Sequence, residues 1–236
     1  MISICIPVYN KDVRPLVRTL TRQLEALTTA GEVLVLDDFS TVTIRQQNRE
    51  IAGWRFVRYE ELPENAGRAK IRNRLAAMAR YDFLLFLDCN IAVEKPDFLQ
   101  HYLQLCKQGY QIVCGGQDYP QTRPARRYRL RHTYGRKVEA RDASFRSKNF
   151  AVARKVFLNN PMDERLTGYG HEDTLFGWQL YEAGVTIHHT DNPVIHLAEE
   201  TNAVFLQKVD ESIRQLIPQQ GWNSLPENFF GEIRLI

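Results

Sequence analysis

Apolar residues along this chain fall into two alternating patterns. Ile2 to Val8, Val33-Leu34-Val35-Leu36 and Phe83-Leu84-Leu85-Phe86-Leu87 are short, almost unbroken apolar runs. Runs of that length without polar alternation predict strands buried on both faces, as in a parallel sheet. Between them the spacing becomes helical. Val13, Leu16, Val17, Leu20, Leu24 and Leu27 recur on one face, as do Ile71, Leu75 and Met78 within 69–79. Asn10 or Asp12 can cap the first helix, Pro15 falls in its first turn, and Gly31 ends it. Trp54 to Tyr59 reads as a further strand. The order β-α-β, then β-α-β, predicts a mostly parallel central sheet flanked by helices, with ligands at the carboxyl ends of the strands. Asn10, Asp38 and Asp88 sit at such ends.

The second half is less regular. Phe98 to Lys107 reads as a helix and Gln111 to Cys114 as a strand. Phe145 to Ala153 is strand-like, and Glu172 to Ala183 is a helix with Gly184 as its stop. Val185 to His189 and Pro193 to Leu197 read as strands, and Thr201 to Ile217 as a helix. The segment 119–142 has no clear apolar periodicity and is long for a connection, so a mobile or acceptor-facing loop is expected there. There is no internal repeat, so a single α/β domain is expected over 1–236.

Composition narrows the class. The chain has 236 residues, 44% hydrophobic and 25% charged, which is ordinary for a globular domain and argues against disorder. The net charge of +3 is too small to imply a polyanion partner. The basic residues are nevertheless uneven: Arg123, Arg126, Arg127, Arg129, Arg131, Arg136 and Lys137 crowd together. A solvated loop and a role at anionic phosphate or membrane surfaces remain equal readings of them. Cys5, Cys89, Cys106 and Cys114 form no C-x-x-C pair and no disulfide framework, which points to reduced thiols in a cytosolic protein. No apolar run reaches eighteen residues, and the first strand starts without a charged leader, so a cytoplasmic location is expected.

Several polar clusters are candidates for chemistry. Asp37 and Asp38 follow a buried strand, where a carboxylate serves either as a turn or cap residue or as a ligand group. Asp88-Cys89-Asn90 ends another strand; its oxygens suit a turn, or a hard divalent ion against a diphosphate. Gly168-Tyr169-Gly170-His171-Glu172-Asp173 is the sharpest feature. Two carboxylates open a helix whose dipole favours their ionised form, as a general base requires. Helix capping is the plainer alternative. His188, His189 and His196 could serve a metal but are more often structural.

The order of these motifs resembles family 2 glycosyltransferases with the GT-A fold. The resemblance rests on Ile6-Pro7-Val8-Tyr9-Asn10, Leu36-Asp37-Asp38-Phe39-Ser40, Asn65-Ala66-Gly67-Arg68 through Arg72-Asn73, and Phe86-Leu87-Asp88-Cys89-Asn90. Gly168 to Gly177 with Trp178 is similar to the Glu-Asp motif of galactosyltransferase-like and chondroitin-polymerase-like members. The resemblance implies a nucleotide-sugar-binding half over 1–115, and an acceptor-binding half with a C-terminal helix over 116–236. It implies that Pro7, Tyr9, Asp38, Arg68, Arg72 and Asp88 bind the donor, expected to be a UDP-sugar. Asp173 matches the catalytic base. Glu172 matches an acceptor-binding acid, and Tyr169, Trp178 and Asn149 are expected to bind the acceptor with it. Asp88, Asn90 and His196 match the metal site, for Mn²⁺ or Mg²⁺. Asn90 departs from the family's second Asp and brings no charge. The implied reaction is inverting transfer to a hydroxyl of a glycan or lipid-linked saccharide, with peripheral contact to an anionic membrane surface left open.

Other classes fit less well. A nucleotidyltransferase would carry a glycine- and basic-rich loop after the first strand, where this chain has Tyr9-Asn10-Lys11-Asp12. A nucleic-acid binder using the arginines and Tyr128 and Tyr134 leaves Glu172-Asp173 unexplained, and no nucleic-acid partner is expected. A dinucleotide enzyme lacks its G-x-G-x-x-G.

Overall fold

The computed structural model describes residues 1–27, 30–141, 145–166 and 168–216. The first half follows the predicted order. Strand β1 (Ile2–Val8) is followed by α1 (Arg14–Ala26), β2 (Gly31–Asp37), a short α2 (Val42–Asn48), β3 (Val57–Glu61), α3 (Arg68–Met78), β4 (Phe83–Leu87) and β5 (Ile91–Ala92). Then come α4 (Phe98–Lys107), β6 (Ile112–Cys114), β7 (Gln117–Asp118), α5 (Arg129–Lys137), β8 (Asn149–Ala153), α6 (Arg154–Asn159), α7 (Glu172–Glu182), β9 (Ile187–His189), β10 (Val194–His196) and α8 (Asn202–Leu216).

Seven strands form the main sheet in the order β3-β2-β1-β4-β8-β6-β9, and β5-β10-β7 form a small second sheet. β3, β2, β1 and β4 are parallel; β8 runs antiparallel to both β4 and β6. The chain leaves β1 toward β2 on one side and returns to β4 on the other. That reversal opens a crevice at the carboxyl ends of β1 and β4, the position where open α/β sheets bind ligands.

The unbroken apolar runs are explained by burial on both faces. In β1, Ile2, Ile4, Ile6 and Val8 pack with α1 and α4, through Leu16, Val17, Leu20, Phe98 and Leu99. Cys5 points to the other face, where Leu34, Leu36, Phe86 and Phe150 meet Ile71 and Leu75 of α3, Phe157 of α6 and Phe176 of α7. Phe86 anchors that face, with its ring 5.0 Å from Phe150 and 4.9 Å from Phe157. All four cysteines are free thiols, and burial raises their pKa, which makes them unreactive. Among the described residues no helix is long and apolar enough to cross a membrane.

Four expectations change, the first being the strand read over Phe145 to Ala153, which begins only at Asn149. The strand foreseen at 54–59 begins at Val57 instead, after a 3-10 turn over Arg49–Gly53. α2 and α6, of seven and six residues, were not foreseen; segments so short carry too few apolar positions to show a period. The segment 119–142 is not an unstructured loop. It holds α5, whose buried positions are Arg131, His132 and Gly135, none of them a large apolar residue. Arg131 donates to Tyr119 and to Glu139, both at 3.0 Å, and Lys148 donates to the same carboxylate at 3.2 Å. Its burial is ionic, which is why no hydrophobic period reveals it. Residues 142–144 and 217 lie outside the described residues.

Gly135 decides whether α5 is packed. Exposed helix interiors gain about 1 kcal/mol from Gly→Ala. Here a Cβ would lie 2.2 Å from the Tyr119 ring. Gly135→Ala is therefore expected to destabilise the chain by about 1–3 kcal/mol, the cost of overpacking. Urea denaturation measures it, and a raised midpoint would show α5 free of Tyr119.

Candidate active site

The ends of β1 and β2 are locked to one another by polar groups. Asp38 donates its N–H to the Val8 carbonyl at 2.7 Å. Asn10 donates its N–H to the Ser40 hydroxyl at 2.8 Å, and its side-chain oxygen accepts from the Thr41 N–H at 2.8 Å. The buried Asp37 accepts from the Ser40 N–H at 2.7 Å, and burial raises its pKa. Asn10 and Phe39 both take a positive φ, 52° and 64°, so the chain turns sharply at the crevice. Asp37 is thereby a turn residue and Asp38 the acid at the mouth.

The Asp38 carboxylate accepts from the N–H groups of Ala66 and Gly67, at 2.6 and 3.1 Å. It holds the loop that starts α3, and Gly67 caps that helix with φ 82°. The positive end of α3 therefore faces the crevice with two arginines one turn apart. Arg72 donates to Asp88 at 2.6 Å and to the Arg68 carbonyl at 3.1 Å. Arg68 reaches the other way, to Glu172 at 2.6 Å.

Glu172 and Asp173 open α7 after a turn in which Gly170 has φ 103° and His171 φ 66°. Burial pushes the Glu172 pKa upward, but Arg68 and Arg72 outweigh it and hold the group below the usual carboxylate range. Asp173 goes the other way. Burial, then the neighbouring Glu172 charge, raise its pKa, against a smaller pull from Arg146 and Lys148. One oxygen of Glu172 is buried without a hydrogen-bond partner. The Tyr169 ring lies between two cations, with Arg68 at 4.7 Å and Lys208 of α8 at 5.0 Å. Arg68 and Tyr169 belong to the wall of a cleft of about 560 Å³, lined also by Pro7, Tyr9, Lys11, Asp38, Asn65, Arg72, Asp88, Asn90, Glu199, Glu200 and Lys208. Glu172 and Asp173 lie behind that wall, joined to it by the Arg68 ion pair. Lys11 is ion-paired to Glu199 across it, and Lys208 to Glu200.

The profile described as "Glycosyl transferase family 2" matches residues 3–214. The chain belongs to glycosyl transferase family 2. Solved structures agree on the fold. S. aureus TarS 1–349 is 19% identical with a TM-score of 0.64, over 83% of this chain and 60% of that one. The same fragment in complex with UDP is 18% identical with a TM-score of 0.65, over 99% of this chain and 69% of that one. The mannosyltransferase PcManGT from Pyrobaculum calidifontis, in complex with GDP-Man and Mn²⁺, is 14% identical with a TM-score of 0.65, over 99% and 68%. Such identities show the GT-A fold alone. The chain spans about 60% of the length of the TarS fragment. Among curated protein sequences, none matches.

As a family 2 chain it would be expected to hold a divalent ion at Asp88, Asn90 and His196. These residues do come together: the Asn90 amide is 3.0 Å from His196 Nε2. The ring's protonation is wrong for a ligand, however. Ala198 donates its N–H to His196 Nδ1 at 3.0 Å. Burial, then Lys148 and Arg131, push the His196 pKa down to about 2, so the ring is neutral. A neutral ring that accepts at Nδ1 carries its proton on Nε2. Turning the Asn90 amide over lets its oxygen, otherwise buried without a partner, accept that proton. Metal-bound histidines instead donate from the second nitrogen. Asp88 is taken on one oxygen by Arg72, and among the described residues no group of three His, Cys, Asp or Glu could hold an ion. The set as arranged does not fit a histidine-ligated metal.

The remaining predicted residues separate. The Asn149 amide is spent inside the fold, on Tyr102, the Gly116 carbonyl and the Asn192 carbonyl. Trp178 is buried on α7 beside Tyr181 and borders a shallow pocket with Met162 and Asn159, away from the cleft. His188 stacks on Tyr110 at 4.1 Å. Lys11, Asn65, Glu199, Glu200 and Lys208 line the cleft without having been given a role from the sequence. Glu199-Glu200, two acids just after His196-Leu197, were the one signal available.

The ring geometry has a measurable consequence. Mn²⁺ titrated into the free chain is expected to bind weakly, with a dissociation constant of about 1 mM or above. Calorimetry checks this, and a micromolar site abolished by His196→Ala would show that the ring turns over to bind the ion.

Proposed function

We propose that this family 2 glycosyltransferase inverts configuration as it moves a sugar from a UDP-sugar to a hydroxyl of a saccharide or lipid-linked saccharide. The observation that carries the reading is the convergence of Asp38, Arg68, Arg72 and Asp88 on one cleft at the carboxyl ends of β1 and β4, with Arg68 paired to Glu172, the neighbour of Asp173. Burial and the Glu172 charge raise the Asp173 pKa, in keeping with a base.

Asp38 retains lone pairs beyond the two N–H bonds it accepts, since a carboxylate offers about four acceptor sites. It is proposed to take the imide N–H of uracil, with Pro7 and Tyr9 beside the base. The diphosphate is assigned to the amino end of α3, Arg68 and Arg72. TarS in complex with UDP-GlcNAc, 18% identical with a TM-score of 0.62 over 84% of this chain and 59% of that one, supports a uridine donor; PcManGT with GDP-Man keeps guanosine as the alternative.

In the step, the acceptor hydroxyl loses its proton to Asp173 as its oxygen attacks the anomeric carbon. The bond from that carbon to the diphosphate oxygen breaks on the opposite face, and UDP leaves. The arginines and the helix end stabilise the charge that develops on the leaving diphosphate. The buried, unpartnered oxygen of Glu172 is proposed to accept from an acceptor hydroxyl, while its other oxygen holds Arg68. One base suffices, because the leaving group is already activated. Metal dependence receives no support from the His196 ring, and no part of this step requires it.

A UDP-sugar hydrolysis screen followed by an acceptor panel identifies the substrates. With the best pair, Asp173→Asn is expected to lower the transfer rate by roughly 10²–10⁴-fold, the usual cost of a lost general base, with UDP affinity little changed. Near-normal transfer would remove Asp173 from the role. A retained anomeric configuration, read by NMR of the product, would overturn the mechanism.

The pH profile tests the pairing. Asp173 acts deprotonated, so transfer falls as pH drops through its raised pKa. Glu172→Gln deletes the negative neighbour that raises it, and the acid limb is expected to move to lower pH. A limb that stays put or moves up would show that Asp173 is not the titrating base.

A further inference from the structure

α8 is amphipathic in the reverse of the usual sense. Its inner face is polar and reaches the site. Lys208 lines the cleft, and Ser212 bonds His171, with its hydroxyl 2.9 Å from the ring Nε2. Its outer face carries Leu206, Val209 and Ile213, spaced i, i+3 and i+7, which are 56%, 37% and 54% exposed. A helix buries an apolar stripe where it can, so an apolar stripe left outward on a helix of this length marks a contact surface.

α5 lies beside it. Leu130 donates its N–H to the Asn202 side chain at 3.0 Å, Asn202 donates to the Arg126 carbonyl at 3.1 Å, and Tyr134 packs on Phe205 at 5.5 Å. α5 also exposes apolar side chains one turn apart, Leu130, Tyr134 and Val138. Around the α5 residues the charge has one sign, while on α8 the exposed Asp210 and Arg214 pair with each other at 2.8 Å and cancel. From Tyr119 to Val138 the chain holds seven Arg and Lys and no Asp or Glu. Arg131 alone among these is buried, in the ionic network behind the cleft.

We propose that the joined outer faces of α5 and α8 dock on an anionic lipid bilayer. Exposed Leu, Ile, Val and Tyr would enter the interface while Arg123, Arg126, Arg127, Arg136 and Lys137 meet the headgroups. Apolar residues ringed by cations are the pattern of a surface-lying helix, and one acyl-interface signal alone binds only marginally without the second. The charge selects this occupant. A second copy of the chain would bring one arginine cluster against another, and a neutral apolar partner would leave the cations unused. Resting on the glycosyl-transfer reading, one consequence follows for the acceptor. Lys208 lies on the docking helix and in the wall of the cleft, so the docked cleft sits next to the bilayer, where a lipid-linked saccharide would be.

Binding is measured without any substrate, so its outcome is separate from that of the transfer reaction. Full-length chain is sedimented with phosphatidylcholine vesicles, with and without phosphatidylglycerol, across ionic strength. The expected result is binding to the anionic vesicles only, weakening with salt. Each basic side chain near such a surface is worth about fivefold in partitioning. Arg126→Gln/Arg127→Gln is therefore expected to weaken binding by about 25-fold. Leu206→Ser/Ile213→Ser, both at exposed positions, is expected to abolish it while light scattering still finds the variant and the wild type in the same oligomeric state. Absence of wild-type binding, equal binding to both vesicle types, or a wild-type dimer dissociated by the serine pair would each overturn the proposal.

Discussion

Two arginines one helical turn apart hold this site together. Arg72 clasps Asp88, at the end of β4, and Arg68 clasps Glu172, at the start of α7. Arg72, Asp88 and Glu172 are buried, where an unpaired charge would be strongly unfavourable. Each pair therefore fixes the position of the other. α3 can sit at the carboxyl edge of the sheet only if both acids arrive, and the acids can be buried only if α3 delivers both arginines. One acid comes from residue 88 and the other from residue 172, so the first half of the chain cannot complete the site alone.

The same arrangement sets the chemistry. Glu172 is ionised because two guanidinium groups surround it, and its charge then works on Asp173, the next residue. A carboxylate whose pKa is raised binds a proton more readily, which suits a base acting near neutral pH. The two acids differ in the direction of their pKa because Glu172 is paired to Arg68 while Asp173 sits beside that charge with a weaker pull from Arg146 and Lys148, not because of any difference in their own chemistry.

The α5 region is fastened by polar contacts more than by apolar ones. Arg131, Tyr119, Glu139 and Lys148 form one buried cluster, with the Tyr119 ring 5.2 Å from His196. Burial pushes Lys148 downward in pKa and Glu139 upward, and for Glu139 the pull of Lys148 and Arg131 prevails. At His196 burial is the main cause of the neutral ring, and Lys148 and Arg131 of this cluster add to it. Such a network leaves the apolar residues of α5 and α8 free to face outward.

The sequence by itself determined the doubly covered sheet. Strands buried on both faces must be apolar throughout, and helices packed on one side must repeat near 3.6, so β1, β2, β4, α1, α3 and α4 were legible within a residue or two. It also placed Asp38, Asp88 and the Glu172-Asp173 pair, because charged residues at the ends of apolar segments have nowhere to go but the sheet edge or a helix start. Tertiary structure alone decided what each of them touches. That Arg68 reaches Glu172 over 104 positions, that Asn149 and Trp178 are consumed by packing, and that α5 is a helix buried through Arg131 leave no local pattern. The proton on His196 is the sharpest case. Which ring nitrogen carries it depends on one backbone N–H, that of Ala198, and the direction of an N–H is a property of the folded chain and not of the residues along it.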